Sequence, residues 1–184
     1  MAEARTDRVD DAAADGRLVR VVRRKGWDRL DGSIVSVGGK WLVIALQVDA
    51  GFNGYALVRR SDVRRVEFDA KAGFVSKALA AEGHWPLPGL DGLDLATTQG
   101  VLRSTAQLVP LVSIHYEPQN PNACLIGVPH DFARRKFKLQ TVTPTAEWEV
   151  EDSTFRYRSV SRIDLLGAYE QRLAAVAGAS PRPV

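Results

Sequence analysis

The chain is 184 residues long, 45% hydrophobic, and carries a formal net charge of +3, which leaves room for one large or two small globular domains and excludes a tail-dominated, histone-like protein. A single cysteine, Cys124, rules out an internal disulfide and suits a reducing compartment, here expected to be the cytoplasm. No apolar run approaches the ~20 residues of a membrane helix, and the acidic start lacks the apolar core of a signal peptide.

Residues 1–16 are rich in Ala, Asp and Arg and hold almost no large apolar side chains. They are expected to form a flexible acidic tail or a frayed helix. Arg17 to Lys25 reads as the first strand, with Arg20, Arg23, Arg24 and Lys25 set among valines. Such a strand is either a basic face for phosphates or an edge kept soluble by charge.

From Gly32 to Phe68 the pattern is a compact β-meander. Ile34, Val35 and Val37 lead into Gly38-Gly39, a hairpin signal because both residues can take positive φ. Leu42, Ile44, Leu46 and Val48 then recur with period two, which puts one strand face into a core. Trp41, Val43 and Ala45 fall on the other face. Asp49 to Gly54 is turn chemistry, Tyr55 to Val58 is a short strand, Ser61-Asp62 breaks it, and Val63 to Phe68 closes the run. Short strands with tight connections favour a small curled barrel over a flat sheet with open edges.

Phe74, Val75, Ala78 and Leu79 repeat at helical spacing, with Gly83 as the C-cap. Residues 83–94, GHWPLPGLDGLD, form the best boundary in the chain. Asp94 is the expected N-cap of a short helix bearing Val101, Leu102 and Leu108, Gly100 weighs against that helix, and Pro110 ends it. Leu111 to Glu117 is a strand, and Cys124 to Val128 resumes the sheet.

A looser copy of the first meander runs from Gly127 to Leu165. Leu42 and Ile44 match Phe137 and Leu139, at the same separation from Gly32 and Gly127. Val63, Arg65, Val66 and Phe68 match Val160, Arg162, Ile163 and Leu165. Lys136 and Lys138 oppose Phe137 and Leu139 across the strand, so a one-residue slip would bury cations and the register is well specified. Leu166, Tyr169, Leu173 and Val176 mark one stripe of a final helix that Gly178 stops.

Asp31-Gly-Ser-Ile-Val35, a long strand after it, and Asp62-Val-Arg-Arg-Val66 resemble the Sm-like family, and Val160-Ser-Arg-Ile163 resembles it more loosely. The resemblance implies two Sm-like or SH3-like five-stranded antiparallel barrels in tandem, in a mostly β chain with short helices. The implied divisions are an acidic tail (1–16), a first barrel (17–73), a helical Gly/Pro-rich connector (74–108), a second barrel with its helix (109–178) and a tail (179–184). The family's base-binding loops are not matched: the corresponding positions read Gly38-Gly39-Lys40 and Arg60-Ser61-Asp62.

Chemistry-bearing residues are sparse. His84, His115 and His130 stand at no ligand spacing with Cys124. His130-Asp131 are neighbours that would face opposite ways on a strand, and Glu147 to Asp152 reads as a solvated hairpin tip. A metal-dependent enzyme using Glu147, Glu149 or His130 is the weakest reading, so no enzyme and no cofactor are expected. The signal that remains is basic: Arg23, Arg24 and Lys25; Arg59, Arg60, Arg64 and Arg65; Arg134, Arg135 and Lys136; Arg156, Arg158 and Arg162. With Trp41, Tyr55, Phe137 or Tyr157 nearby, these could hold RNA or another polyanion through phosphate contacts and stacking. The alternative is a protein-interaction or regulatory module that uses an edge strand or the last helix.

Overall fold

In the computed structural model, which describes residues 3–68 and 71–182, the chain is mostly β, with ten strands and four short helices. It divides into two compact units, Met1–Asp91 and Gly92–Val184, and the division falls inside the Gly/Pro-rich stretch. No helix among the described residues is long and apolar enough to cross a membrane.

The first unit opens on a helix, α1 (Glu3–Asp15), where the sequence reading expects a flexible tail or a frayed helix, not an element packed on the core. Val9 and Ala12 explain the difference. They are small enough to escape notice as an apolar stripe, yet both are buried in the core of this unit. Five strands follow: β1 (Leu18–Val22), β2 (Leu30–Val37), β3 (Trp41–Val48), β4 (Gly51–Arg59) and β5 (Arg65–Phe68), with a 3-10 turn at Arg60–Asp62 before the last. Every pairing is antiparallel and the row runs β5-β1-β2-β3-β4. Among the described residues β4 and β5 do not pair with each other, so the row is not closed.

The hairpins differ in detail from expectation. Gly38 and Gly39 keep negative φ, and the turn is closed by the Gly38 amide donating to the Trp41 carbonyl at 2.8 Å. The next turn has only two residues, and Asp49 and Ala50 take the positive φ values there; this twist suits a two-residue hairpin. Gly54, also at positive φ, sits where the β3–β4 register shifts, as a bulge requires. β4 therefore begins at Gly51, four residues before Tyr55. Leu42, Ile44 and Leu46 enter the core with Val19, Val21, Ile34, Ala56 and Val58. Trp41, Val43 and Ala45 are buried on the other face, whereas Val48 is exposed. The helix α2 (Ala72–Ala81) buries Val75 and Leu79 and leaves Phe74 exposed. Gly83 follows its Glu82 cap at positive φ.

In the second unit α3 (Thr98–Leu108) is capped by Thr97, whose hydroxyl accepts from the Gly100 amide at 2.9 Å. Asp94 is not the N-cap. Its carboxylate packs over Gly100 so closely that a Cβ there would lie 1.9 Å from Oδ2. The glycine that weighed against this helix is the residue that lets Asp94 approach it. The strands are β6 (Val112–His115), β7 (Cys124–His130), β8 (Lys136–Thr141), β9 (Ser153–Arg156) and β10 (Arg162–Leu165), and α4 (Ala168–Ala177) ends at Gly178. A 3-10 turn at Tyr157–Ser159 precedes β10.

The row in this unit is β10-β6-β7-β8-β9, again antiparallel throughout and not closed among the described residues. It therefore has the same order as the first: last strand, first, second, third, fourth. Gly32 and Gly127 occupy matching places as well. A Cβ would lie 2.0 Å from the Ala45 carbonyl oxygen in one unit and 2.0 Å from that of Gln140 in the other. Leu111, Val128, Val142 and Leu173 share a core cluster, while Tyr169 and Val176 of the expected helical stripe face solvent.

Candidate functional site

The thirteen basic residues singled out from the sequence behave differently in the two units. In the first, most have structural partners. Arg23 is only 2% exposed; its Nε donates to the Asp28 carbonyl at 3.2 Å and its guanidinium lies over the Trp27 ring. Arg24 pairs with the buried Asp62 at 2.7 Å. Arg59 stacks over Trp41 at 5.2 Å, and burial lowers its pKa. Arg60 donates to the Gly38 carbonyl at 3.0 Å and pairs with Asp10 of α1 at 3.1 Å, so it ties the 3-10 turn to a hairpin and a helix. Arg65 pairs with Glu67. Lys25 and Arg64 are exposed and form no ion pair among the described residues.

The second unit gathers its cations. Lys136 on β8 lies directly across from Arg156 on β9. Arg134 and Arg135 occupy the turn between β7 and β8, and Tyr157 locks that turn in place. Its backbone amide donates to the Arg135 carbonyl at 3.2 Å and its hydroxyl to the Ala133 carbonyl at 2.8 Å. Arg156 and Arg158 flank Tyr157 in sequence, so the same contacts hold them beside the turn. All five cations are exposed, and none forms an ion pair among the described residues. Arg162 does not belong with them. It is mostly buried and binds Asp164 through two nitrogens, each at 2.6 Å.

Beneath this surface lies a ring stack. Phe137 is buried between near-parallel neighbours, with Phe155 and Tyr157 at 5.7 Å and Phe132 at 6.4 Å. Period-two alternation put Phe137 on the face opposite Lys136, and that much was legible in the sequence. Arg103 was not. It projects from α3 over the Phe132 ring at 4.7 Å and is exposed. Burial pushes the Tyr157 phenol up, and the positive charge of Arg103 partly offsets this. A lone arginine on a helix carries no sequence signal of membership in a site formed by strands.

Two polar clusters lie elsewhere in this unit. On the β10-β6-β7 face, His115 Nε2 is 3.0 Å from Asp164 Oδ2, and Cys124 is directly across from His115. A thiol, an imidazole and a carboxylate on one face is the composition of a cysteine nucleophile site. The electrostatics oppose it: burial, then Asp164 and Glu170, push the Cys124 thiol up, and only Arg162 pulls it down. A raised thiol pKa disfavours the thiolate that such a site needs, although Cys124 as a whole lies exposed at the surface. The second cluster surrounds His130. Asp131, at positive φ just past β7, brings its carboxylate to 3.7 Å from His130 Nδ1, so these neighbours do approach. Asp152, read as part of a solvated tip, is instead buried beside His130. Among the described residues no group of three or more His, Cys, Asp or Glu is placed to hold a metal ion.

No family model, curated protein or solved structure matches this chain. The functional reading therefore rests on the residues themselves.

Proposed function

We propose that the chain is a non-catalytic pair of divergent Sm-like units, and that the second unit binds RNA or another polyanion. Arg134, Arg135, Lys136, Arg156 and Arg158 contact phosphates, and Arg103 stacked on Phe132 offers a further cation at the margin. The kinship is supported by the strand order common to the two units, the 3-10 turn before each last strand and the matching glycines Gly32 and Gly127. The observation that carries the binding reading is the convergence of five exposed cations lacking ion pairs among the described residues, with Tyr157 tying the turn of Arg134 and Arg135 beside Arg156 and Arg158, and Lys136 paired across from Arg156. Like charges directly opposite on paired strands cost stability. A polyanion repays that cost by neutralising them and releasing its own counterions.

The test is a fluorescence titration of the whole chain against a short single-stranded RNA at several salt concentrations. If about five phosphates are neutralised, log K should fall against log salt with a slope of roughly −2 to −4. Absence of binding at low salt, or binding indifferent to salt, overturns the reading. A protein-interaction role is the second reading, favoured by Tyr169 and Val176, which lie exposed on α4.

A further inference from the structure

His130 and Asp152 form the least satisfied buried pair among the described side chains. Each side chain is 7% exposed, and Nε2 of one lies 3.3 Å from Oδ1 of the other. Neither atom makes a hydrogen bond of adequate geometry, a situation that costs free energy in a low-dielectric interior. The same Asp152 oxygen has a second suitor. Arg182, beyond α4, brings Nε to 3.2 Å from Oδ1. That contact is an ion pair: the hydrogen bonds of Arg182 go from Nε to Gln140 Oε1 at 2.5 Å and from Nη2 to the Val150 carbonyl at 3.1 Å. Through this one side chain the segment Ser180–Arg182 is fastened to β8 and to the stretch before β9.

The surrounding charges are few. Asp131 pairs with Lys138 at 2.9 Å, and Lys138 also stands 3.8 Å from Asp152 Oδ2. Glu149 accepts from the Thr141 hydroxyl at 2.5 Å, and Glu151 is exposed. With His130 neutral, the carboxylates of Asp131 and Asp152 balance Lys138 and Arg182. Protonating His130 adds one positive charge beside the oxygen with which Arg182 forms its ion pair. Histidine is the side chain whose charge changes most readily near neutral pH. Of the cations present, Lys138 has Asp131 as a close alternative partner, whereas Arg182 has no other carboxylate within ion-pair distance among the described residues.

We infer that His130 and Arg182 are alternative partners of a single Asp152 oxygen, so that acidification transfers Asp152 to His130 and releases the segment Ser180–Arg182 from the β8–β9 face. His130 is a positioning residue in this device, acting on the segment through Asp152. The device is independent of polyanion binding. The segment nevertheless meets the sheet face that carries Lys136, Lys138 and Arg156, since Gln140 shares their alternation along paired strands.

The experiment is NMR on the full-length chain labelled with nitrogen-15, following the Arg182 Nε–H signal and the His130 ring from about pH 8 to about pH 5. The Arg182 signal should be present and protected at the upper end and lost as His130 gains its proton. In His130→Gln it should persist at both ends. Survival of the signal through the whole His130 titration, or its loss at the same pH in His130→Gln, overturns the inference. A second variant covers the case in which His130→Gln fails to fold. Coupling between sites is reciprocal, so Arg182→Ala should shift the His130 titration midpoint upward. An unchanged midpoint overturns the inference as well.

Discussion

Lys136 stands directly across the β8–β9 ladder from Arg156, and neither has an ion-pair partner among the described residues. Replacing one charge should therefore act in opposite directions on stability and on binding. Lys136→Glu is expected to stabilise the fold by about 0.2–1 kcal/mol, by turning a like-charge pair into an attractive one. It should weaken polyanion binding and flatten the salt slope by at least one phosphate. Urea melts and salt-series titrations of the same preparation check both. A variant that gains stability and keeps its affinity would remove this pair from the interface.

Arg24 offers the contrasting case, because its partner Asp62 is buried to within 4% in the 3-10 turn. Arg24→Ala should cost about 1–3 kcal/mol, since a buried carboxylate loses its charged donor. Binding at the second unit should not change. The comparison separates basic residues that hold the fold from those that meet a ligand, using chemical denaturation for one and titration for the other.

Gly32 and Gly127 are each pressed against a carbonyl oxygen of the next strand, at a place where an added Cβ would lie 2.0 Å away. Neither has the positive φ that would make conformational freedom the reason; the constraint is space. Gly127→Ala and Gly32→Ala should each destabilise by at least the ~1–3 kcal/mol typical of overpacking, because the obstacle is backbone and cannot rotate aside. Denaturant midpoints that match the parent chain would show that the strands can part without penalty.

Asp164 makes a prediction about acid. Burial alone would raise its carboxyl pKa, but the Arg162 guanidinium and the His115 hydrogen bond outweigh burial and hold the pKa below the usual carboxylate range. A group whose folded pKa is depressed contributes stability that is present above its unfolded pKa of about 3.9 and is lost as pH falls through the folded value. Melting temperature should accordingly drop on acidification below about pH 4. In Asp164→Asn that part of the dependence should vanish. Asp164→Ala, which removes the carboxylate that the mostly buried Arg162 binds, should cost about 3–5 kcal/mol at neutral pH.

Periodicity in the sequence was enough to place most strands, to orient Leu42, Ile44, Phe137 and Leu139 inward, and to align Gly32 with Gly127. Side-chain alternation is a local property of an extended chain, and a single wrong register would have buried Lys136 and Lys138. Asp49 to Gly54 was recognised as a turn, but its two-residue length was not, because the positive φ values fall on Asp49 and Ala50 while the glycines that signal a turn, Gly51 and Gly54, lie after them in β4. The packing of α1 was missed, although a frayed helix was one reading of residues 1–16, because Val9 and Ala12 become a core face only when the sheet is there to receive them.

The candidate surface depended still more on tertiary contacts. Thirteen basic residues look alike in the sequence, because a guanidinium's partner lies at no fixed distance along the chain. Asp62 pairs with Arg24, Asp10 with Arg60 and Asp164 with Arg162, and these pairings withdraw three cations from any ligand. Tyr157 does the reverse, holding the turn of Arg134 and Arg135 beside Arg156 and Arg158. Strand identity and inward face were thus decided by neighbours two residues apart. Arg162 and Asp164 meet by that same alternation, two residues apart on one side of β10, but Arg24 and Arg60 are withdrawn by carboxylates 38 and 50 residues away, which only the folded chain brings together.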